Sequence, residues 1–99
     1  MYSSEDILHK ISHIVDPEIG VSIVDLGLVY ETRHDQNGSV YVKMSLTTPA
    51  CPLGPAIKQQ VVETLEQDPA VNGVRFQWTF DPPWSMSMAN AETREMLGF

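Results

Sequence analysis

Apolar and polar residues alternate along this chain in a way that marks out six elements. Ile7, Leu8, Ile11, Ile14 and Val15 recur at helical spacing and predict an amphipathic helix. Ser3 or Ser4 caps its start, and Glu5 and Asp6 fill the first turn, where acidic residues suit the helix dipole. Asp16-Pro17 ends it, because a residue before proline is pushed out of the α region. A strand is predicted from about Val24 to Arg33. Asp35-Gln36-Asn37-Gly38 follows as a hairpin turn, since Asn-Gly supplies positive φ angles. Val40, Val42, Met44 and Leu46 then alternate with Tyr41, Lys43, Ser45 and Thr47, which predicts a strand with one core face. Pro52 suits the first turn of a second helix with Leu53, Ala56, Ile57, Val61 and Leu65 as its buried stripe. Asp68-Pro69 stops it. Val74, Phe76, Trp78 and Phe80 point inward from a last strand. After Asp81-Pro82-Pro83-Trp84, Asn90 caps a short helix ending near Gly98.

The order is therefore α-β-β-α-β-α. Each strand has one apolar face, so helices cover one side of the sheet and the fold class is α+β, a two-layer sandwich. The first two strands form an antiparallel hairpin. A strand–helix–strand crossover makes the third strand parallel to the second, giving a three-stranded mixed sheet. Residues 1–99 read as one domain, without linkers or repeats.

Composition narrows the function. Hydrophobic residues make up 42% of the chain, enough for a packed core. Thirteen acidic residues against six basic ones give a net charge of −7. Nucleic-acid binding needs clustered Lys and Arg, so it is excluded as a reading. The acidic N-terminus lacks the pattern of a secretory leader, and no apolar run has membrane-spanning length. The one cysteine suits a reducing compartment, so the expected location is cytoplasmic. Asn37-Gly38-Ser39 matches a glycosylation sequon and, without a secretory route, reads only as a turn.

That cysteine, Cys51, carries the candidate chemistry. It lies in Thr47-Thr48-Pro49-Ala50-Cys51-Pro52, where a predicted strand ends and a predicted helix begins. N–H groups and the dipole at a helix N-terminus favour thiolate over thiol. The competing reading is a small buried apolar residue. Pro49 and Pro52 stiffen the turn, and Thr47 and Thr48 bring hydroxyls near. Strand propensity and helix capping also account for the threonines. One thiolate does not complete a metal site, because zinc and iron–sulfur clusters take several ligands. A cluster would need two subunits, a partner's ligands, or oxygen and nitrogen ligands from this chain.

His9 and His13 stand four apart on one predicted helix face, a metal-compatible spacing that a solvated face explains better. His34 beside the turn reads as a surface residue. Asp16-Pro17-Glu18 and Asp25-Leu26-Gly27-Leu28 place carboxylates in and after a loop. Asp25 can accept backbone N–H bonds there or serve an Asx-type turn. Trp84 reads as a cover for the core edge or an aromatic anchor for a partner.

Four motifs in register resemble one family. Asp16-Pro17-Glu18, Asp25-Leu26-Gly27-Leu28-Val29-Tyr30, Thr47-Thr48-Pro49-x-Cys51-Pro52 and Asp81-Pro82-Pro83-Trp84 are similar to the SufT/PaaD-like metal-sulfur cluster biosynthetic proteins. The resemblance spans nearly the whole chain. It implies the iron–sulfur cluster assembly fold and an accessory role in maturing iron–sulfur proteins. Cys51 falls on the family's functional cysteine, as a ligand or transfer thiolate for iron or a transient cluster. Asp25 and Thr48 fall on positions around it, and Glu18 is a further candidate. Implied partners are assembly proteins and client apoproteins, with a homodimer as a way to pair two Cys51 sulfurs. PaaD-type members serve a phenylacetate oxygenase system and carry a cysteine-bearing extension after the point matching Phe99. The shorter, general assembly branch is therefore the expected one. Two rivals stand beside it. One is a thiol enzyme with Asp25 as base, which lacks an orienting histidine. The other is a non-catalytic adaptor contacting partners through Trp84.

Overall fold

The computed structural model describes residues 2–48 and 52–98. Cys51, with Pro49 and Ala50, lies outside the described residues. Helix α1 spans Ser4–Ile11 and opens on a capping box. Ser3 Oγ accepts the Asp6 N–H at 3.1 Å, and Asp6 Oδ2 accepts the Ser3 N–H at 3.0 Å. Ile7 and Ile11 are fully buried. The helix is shorter than its apolar periodicity predicts. Residues after Ile11 turn, and Val15–Asp16 form a two-residue strand, β1, antiparallel to β2, Val21–Ser22. Ile14 still reaches the core, whereas Val15 is 41% exposed and leaves the stripe. The extended backbone before Pro17 finds partners across this small hairpin, including Ile23 N–H to Ile14 C=O.

The segment expected to begin a strand at Val24 is a series of turns instead. Leu26 N–H donates to Ser22 C=O, Gly27 N–H to Val24 C=O, and Leu28 N–H to Ile23 C=O. Gly27 has φ of 76°, and a Cβ there would lie 2.2 Å from the Met88 carbonyl oxygen. Only glycine meets both conditions. Strand β3 therefore starts later, at Val29–His34. It pairs antiparallel with β4, Ser39–Met44, through a turn in which Gly38 supplies the positive φ and Asn37 does not. Asp35 C=O accepts Gly38 N–H, and Asp35 N–H donates to Ser39 C=O, so one left-handed residue suffices.

Helix α2, Gly54–Glu66, begins two residues after Pro52, and Pro55 rather than Pro52 occupies its first turn. Ile57, Val61 and Leu65 form its buried stripe, whereas Ala56 is exposed. Strand β5, Gly73–Trp78, runs parallel to β4, from Ser39 opposite Gly73 to Met44 opposite Trp78. Phe80 lies past the strand and is 40% exposed, not inward. A single 3-10 turn at Met86–Met88 precedes α3, Ala91–Met96. Asn90 Oδ1 caps α3 by accepting the Thr93 N–H at 2.9 Å.

The result is the α+β sandwich expected, with a mixed sheet in the order β3-β4-β5 and α1 and α2 packed on one side. Val40, Val42 and Met44 of the central strand are fully buried beneath the helices. The opposite face carries Glu31, Arg33, Tyr41, Lys43, Arg75 and Gln77. His34 is a correction to the sequence reading. It is buried on the core face, its Nδ1 accepts the Tyr2 N–H at 2.9 Å, and its ring stacks on Tyr2. Tyr2 also donates its hydroxyl to Asp68 Oδ2 at 2.5 Å, and Lys10 Nζ meets the same oxygen at 2.7 Å. These contacts tie α1 to the end of α2.

Candidate functional site

Three segments converge at the end of the sheet where β4 stops. Ser45 N–H donates to Leu28 C=O at 2.8 Å, which holds the exit of β4 against the turns before β3. On the other side, Thr79 N–H donates to Met44 C=O at 2.9 Å. The start of α2 returns to the same end. Gly54 sits so close that a Cβ would lie 3.2 Å from Leu46 Cδ1 and 3.7 Å from Trp78 Cζ2. Thr48 and Pro52, the described residues that flank the Cys51 segment, therefore belong to this end of the molecule. Thr48 is exposed there.

The C-terminal segment closes the end. Trp84 is half-buried against the core, and its Nε1–H donates to Leu26 C=O at 2.6 Å. Tyr30 Oη donates to Pro82 C=O at 2.8 Å. Asn90 binds Asp25 twice. Its backbone N–H donates to Asp25 C=O at 2.9 Å, and its Nδ2 donates to Asp25 Oδ1 at 3.1 Å. Asp25 is exposed, so the bond orients its carboxylate while leaving it accessible to solvent. Asn90 is thus a positioning residue that the sequence shows only as a helix cap.

The two carboxylates of Asp16-Pro17-Glu18 differ in their surroundings. Glu18 is exposed, and its backbone N–H donates to Asp16 Oδ1 at 2.9 Å. Asp16 is the buried carboxylate, fully enclosed, with no partner for Oδ2 among the described residues. A buried carboxylate oxygen without a donor is costly, which makes Asp16 the more unusual member of the pair. Its only sequence signal was its place before Pro17.

His9 sits on α1, and His13 lies in the turn after it, so the two do not share a helix face. Among the described residues no group of three His, Cys, Asp or Glu stands together as a metal site. Nor is any helix long and apolar enough to cross a membrane. The described residues thus offer one oriented, exposed carboxylate, Asp25, in the turns that the exit of β4 packs against.

Comparison with known proteins bears on the fold and the family. Residues 4–76 match the model of the family described as iron-sulfur cluster assembly protein. The Fe-S protein maturation auxiliary factor YitW of Bacillus subtilis is 36% identical over 94 residues, covering 95% of this chain and 92% of that protein. The Fe-S protein maturation auxiliary factor SufT of Staphylococcus aureus is 38% identical over 85 residues, covering 86% of this chain and 97% of that one. The crystal structure of a domain of unknown function, DUF59, from Bacillus anthracis superposes with a TM-score of 0.91 at 31% identity. It covers 97% of this chain and 92% of that one. With the same fold and a family match over most of its length, this chain belongs to the iron–sulfur cluster assembly protein family.

Proposed function

We propose that this chain is an accessory factor in the maturation of iron–sulfur proteins and that Cys51 is its working thiolate. Residues 1–99 act as one unit in this reading. The observation that carries it is the convergence of the β4 exit, the start of α2 and the Trp84 segment around the flanks of Cys51.

The chemistry is ligand exchange. The Cys51 thiol loses its proton to solvent, and the thiolate binds iron of an incoming cluster or iron ion as cargo, displacing one ligand that the iron arrives with, a water or a donor's thiolate. One thiolate leaves other coordination positions to be filled from elsewhere. Ligands from an assembly protein or a client apoprotein fill them, which makes passing on the cargo easier than keeping it. Asp25, oriented by Asn90, and Thr48 tune the sulfur through charge and hydrogen bonding. Glu18 faces solvent within reach of a partner surface, and Trp84 offers its exposed margin to the same partner. The acidic surface suits protein partners in the cytoplasm.

Anaerobic incubation with iron and sulfide tests the reading. Cluster absorbance should appear in the presence of a thiol-bearing client and should be lost in Cys51→Ala. Equal absorbance in both proteins would sink the assignment of Cys51 and leave a non-catalytic adaptor.

A further inference from the structure

The two edges of the sheet differ. The outer edge of β3 carries a bulge between Val29 and Glu31. It is also covered by α1: Ser4 Oγ donates to Thr32 C=O at 2.7 Å, and Thr32 Oγ1 donates to Ser4 C=O at 3.1 Å. Bulges and covers are how proteins stop an edge from pairing. Among the described residues, strand β5 shows no bulge and no backbone partner on its outer side. It ends the sheet order and pairs with β4 in unbroken register.

In a parallel ladder, alternate residues direct both backbone groups to one side. Thr79 N–H reaches back to Met44 C=O, so Val74, Phe76 and Trp78 direct theirs outward. No strand lies beyond them among the described residues. The side chains follow the same division. Val40, Val42 and Met44 are fully buried, whereas their β5 neighbours Val74, Phe76 and Trp78 are only half-buried. Phe80 extends this apolar margin.

We propose that a second copy of this chain pairs with the open edge, β5 against β5 in antiparallel register, to make a continuous six-stranded sheet. The strand's own sequence selects this occupant. Residues opposed in a symmetric antiparallel pair share a sheet face, so the register centres on a single residue. Centred on Phe76, the ring faces the partner's Phe76, Val74 faces the partner's Trp78, and Arg75 faces the partner's Gln77. These are aromatic, aromatic–β-branched and hydrogen-bonding pairs, and every outward backbone group of the three core-facing residues is used. Centred on Arg75, two guanidinium groups would oppose each other. Phe76 is therefore the favoured axis.

A six-residue strand makes a small interface, so the dimer is weak and reversible. Each copy carries −7, and Lys58 Nζ lies 5.6 Å over the Phe76 ring near the axis, so like charges approach. Salt should tighten the pair. Antiparallel pairing sends the two β4 exits to opposite ends. This contact therefore does not join two Cys51 segments, and it stands independently of the proposed function.

Sedimentation equilibrium of the full chain, with reductant and chelator at low and high salt, tests the proposal. The expected result is a reversible monomer–dimer equilibrium. Gln77→Glu places a carboxylate opposite the partner's Arg75 twice per dimer and should tighten association by about tenfold. Gln77→Arg should weaken it by a similar factor. Gln77 is exposed, so both variants retain the fold. As a second measurement, amide exchange at Val74, Phe76 and Trp78 should slow as concentration rises. The proposal fails if the chain stays monomeric to about 1 mM in high salt. It also fails if the two Gln77 variants do not move association in opposite directions, or if the three amides exchange independently of concentration.

Discussion

Trp84 donates its indole N–H to the carbonyl of Leu26, a residue 58 positions earlier, at 2.6 Å. That bond fastens the C-terminal segment over the turns that present Asp25. Trp84→Phe keeps an aromatic ring and deletes the donor. The Leu26 carbonyl then loses its partner in a half-buried setting. The variant should be less stable by about 1–2 kcal/mol in urea unfolding, with an unchanged m-value. A variant as stable as the parent would show that the bond holds nothing in place.

Gly27 and Gly20 give a matched comparison. Both have positive φ, 76° and 80°, but a Cβ at Gly27 meets the Met88 carbonyl whereas one at Gly20 meets open space. Gly20→Ala carries only the backbone strain, about 1 kcal/mol. Gly27→Ala must also push the 3-10 turn away and should cost at least about 2 kcal/mol more. Thermal melts of the two variants side by side would decide it. Equal losses would mean that the Met88 turn yields freely.

Cys51→Ser should retain the circular dichroism spectrum and lose under about 2 kcal/mol, because the buried stripes lie on α1, α2 and β4. An insoluble or molten variant would make the cysteine a core residue. The thiol itself should alkylate with an apparent pKa below about 8.5. The helix begins at Gly54, and prolines at positions 52 and 55 lack N–H groups. Gly54 and Ala56 therefore carry the first-turn N–H groups on which this expectation rests. A pH–rate profile of iodoacetamide modification measures this directly.

Asp68 links folding to pH. A hydrogen bond from Lys10, then one from Tyr2, hold its carboxyl far below the usual carboxylate range. The same contact raises Lys10. In the unfolded chain the carboxyl titrates near about 3.9, so on acidification the unfolded state takes up this proton first. Its stabilising contribution is complete above that value and declines as pH falls toward the folded one. The Tm advantage of the parent over Asp68→Asn should therefore be constant near neutrality and shrink below about pH 4. An advantage that grows on acidification would reverse the assignment.

The apolar periodicity alone determined most of the frame. Ser3 and Asp6, the alternation through Val40, Val42 and Met44, the stripe of Ile57, Val61 and Leu65, and the Asn90 cap are legible because their causes are local. Spacing along the chain fixes which face is buried, and a capping side chain reaches only a few residues away. The motif order was enough to point to the family. Residues 12–28 were not legible in this way. Ile14 and Val15 fit a helical stripe, yet their backbone pairs with residues beyond Pro17. Val24 to Leu28 read as a strand until the Met88 carbonyl demands a glycine turn. The burial of His34, the enclosure of Asp16, and the hold of Asn90 on Asp25 follow the same rule. Each depends on a partner distant in sequence, and periodicity carries no information about which distant backbone or side chain will complete a hydrogen bond. Tertiary packing made that choice.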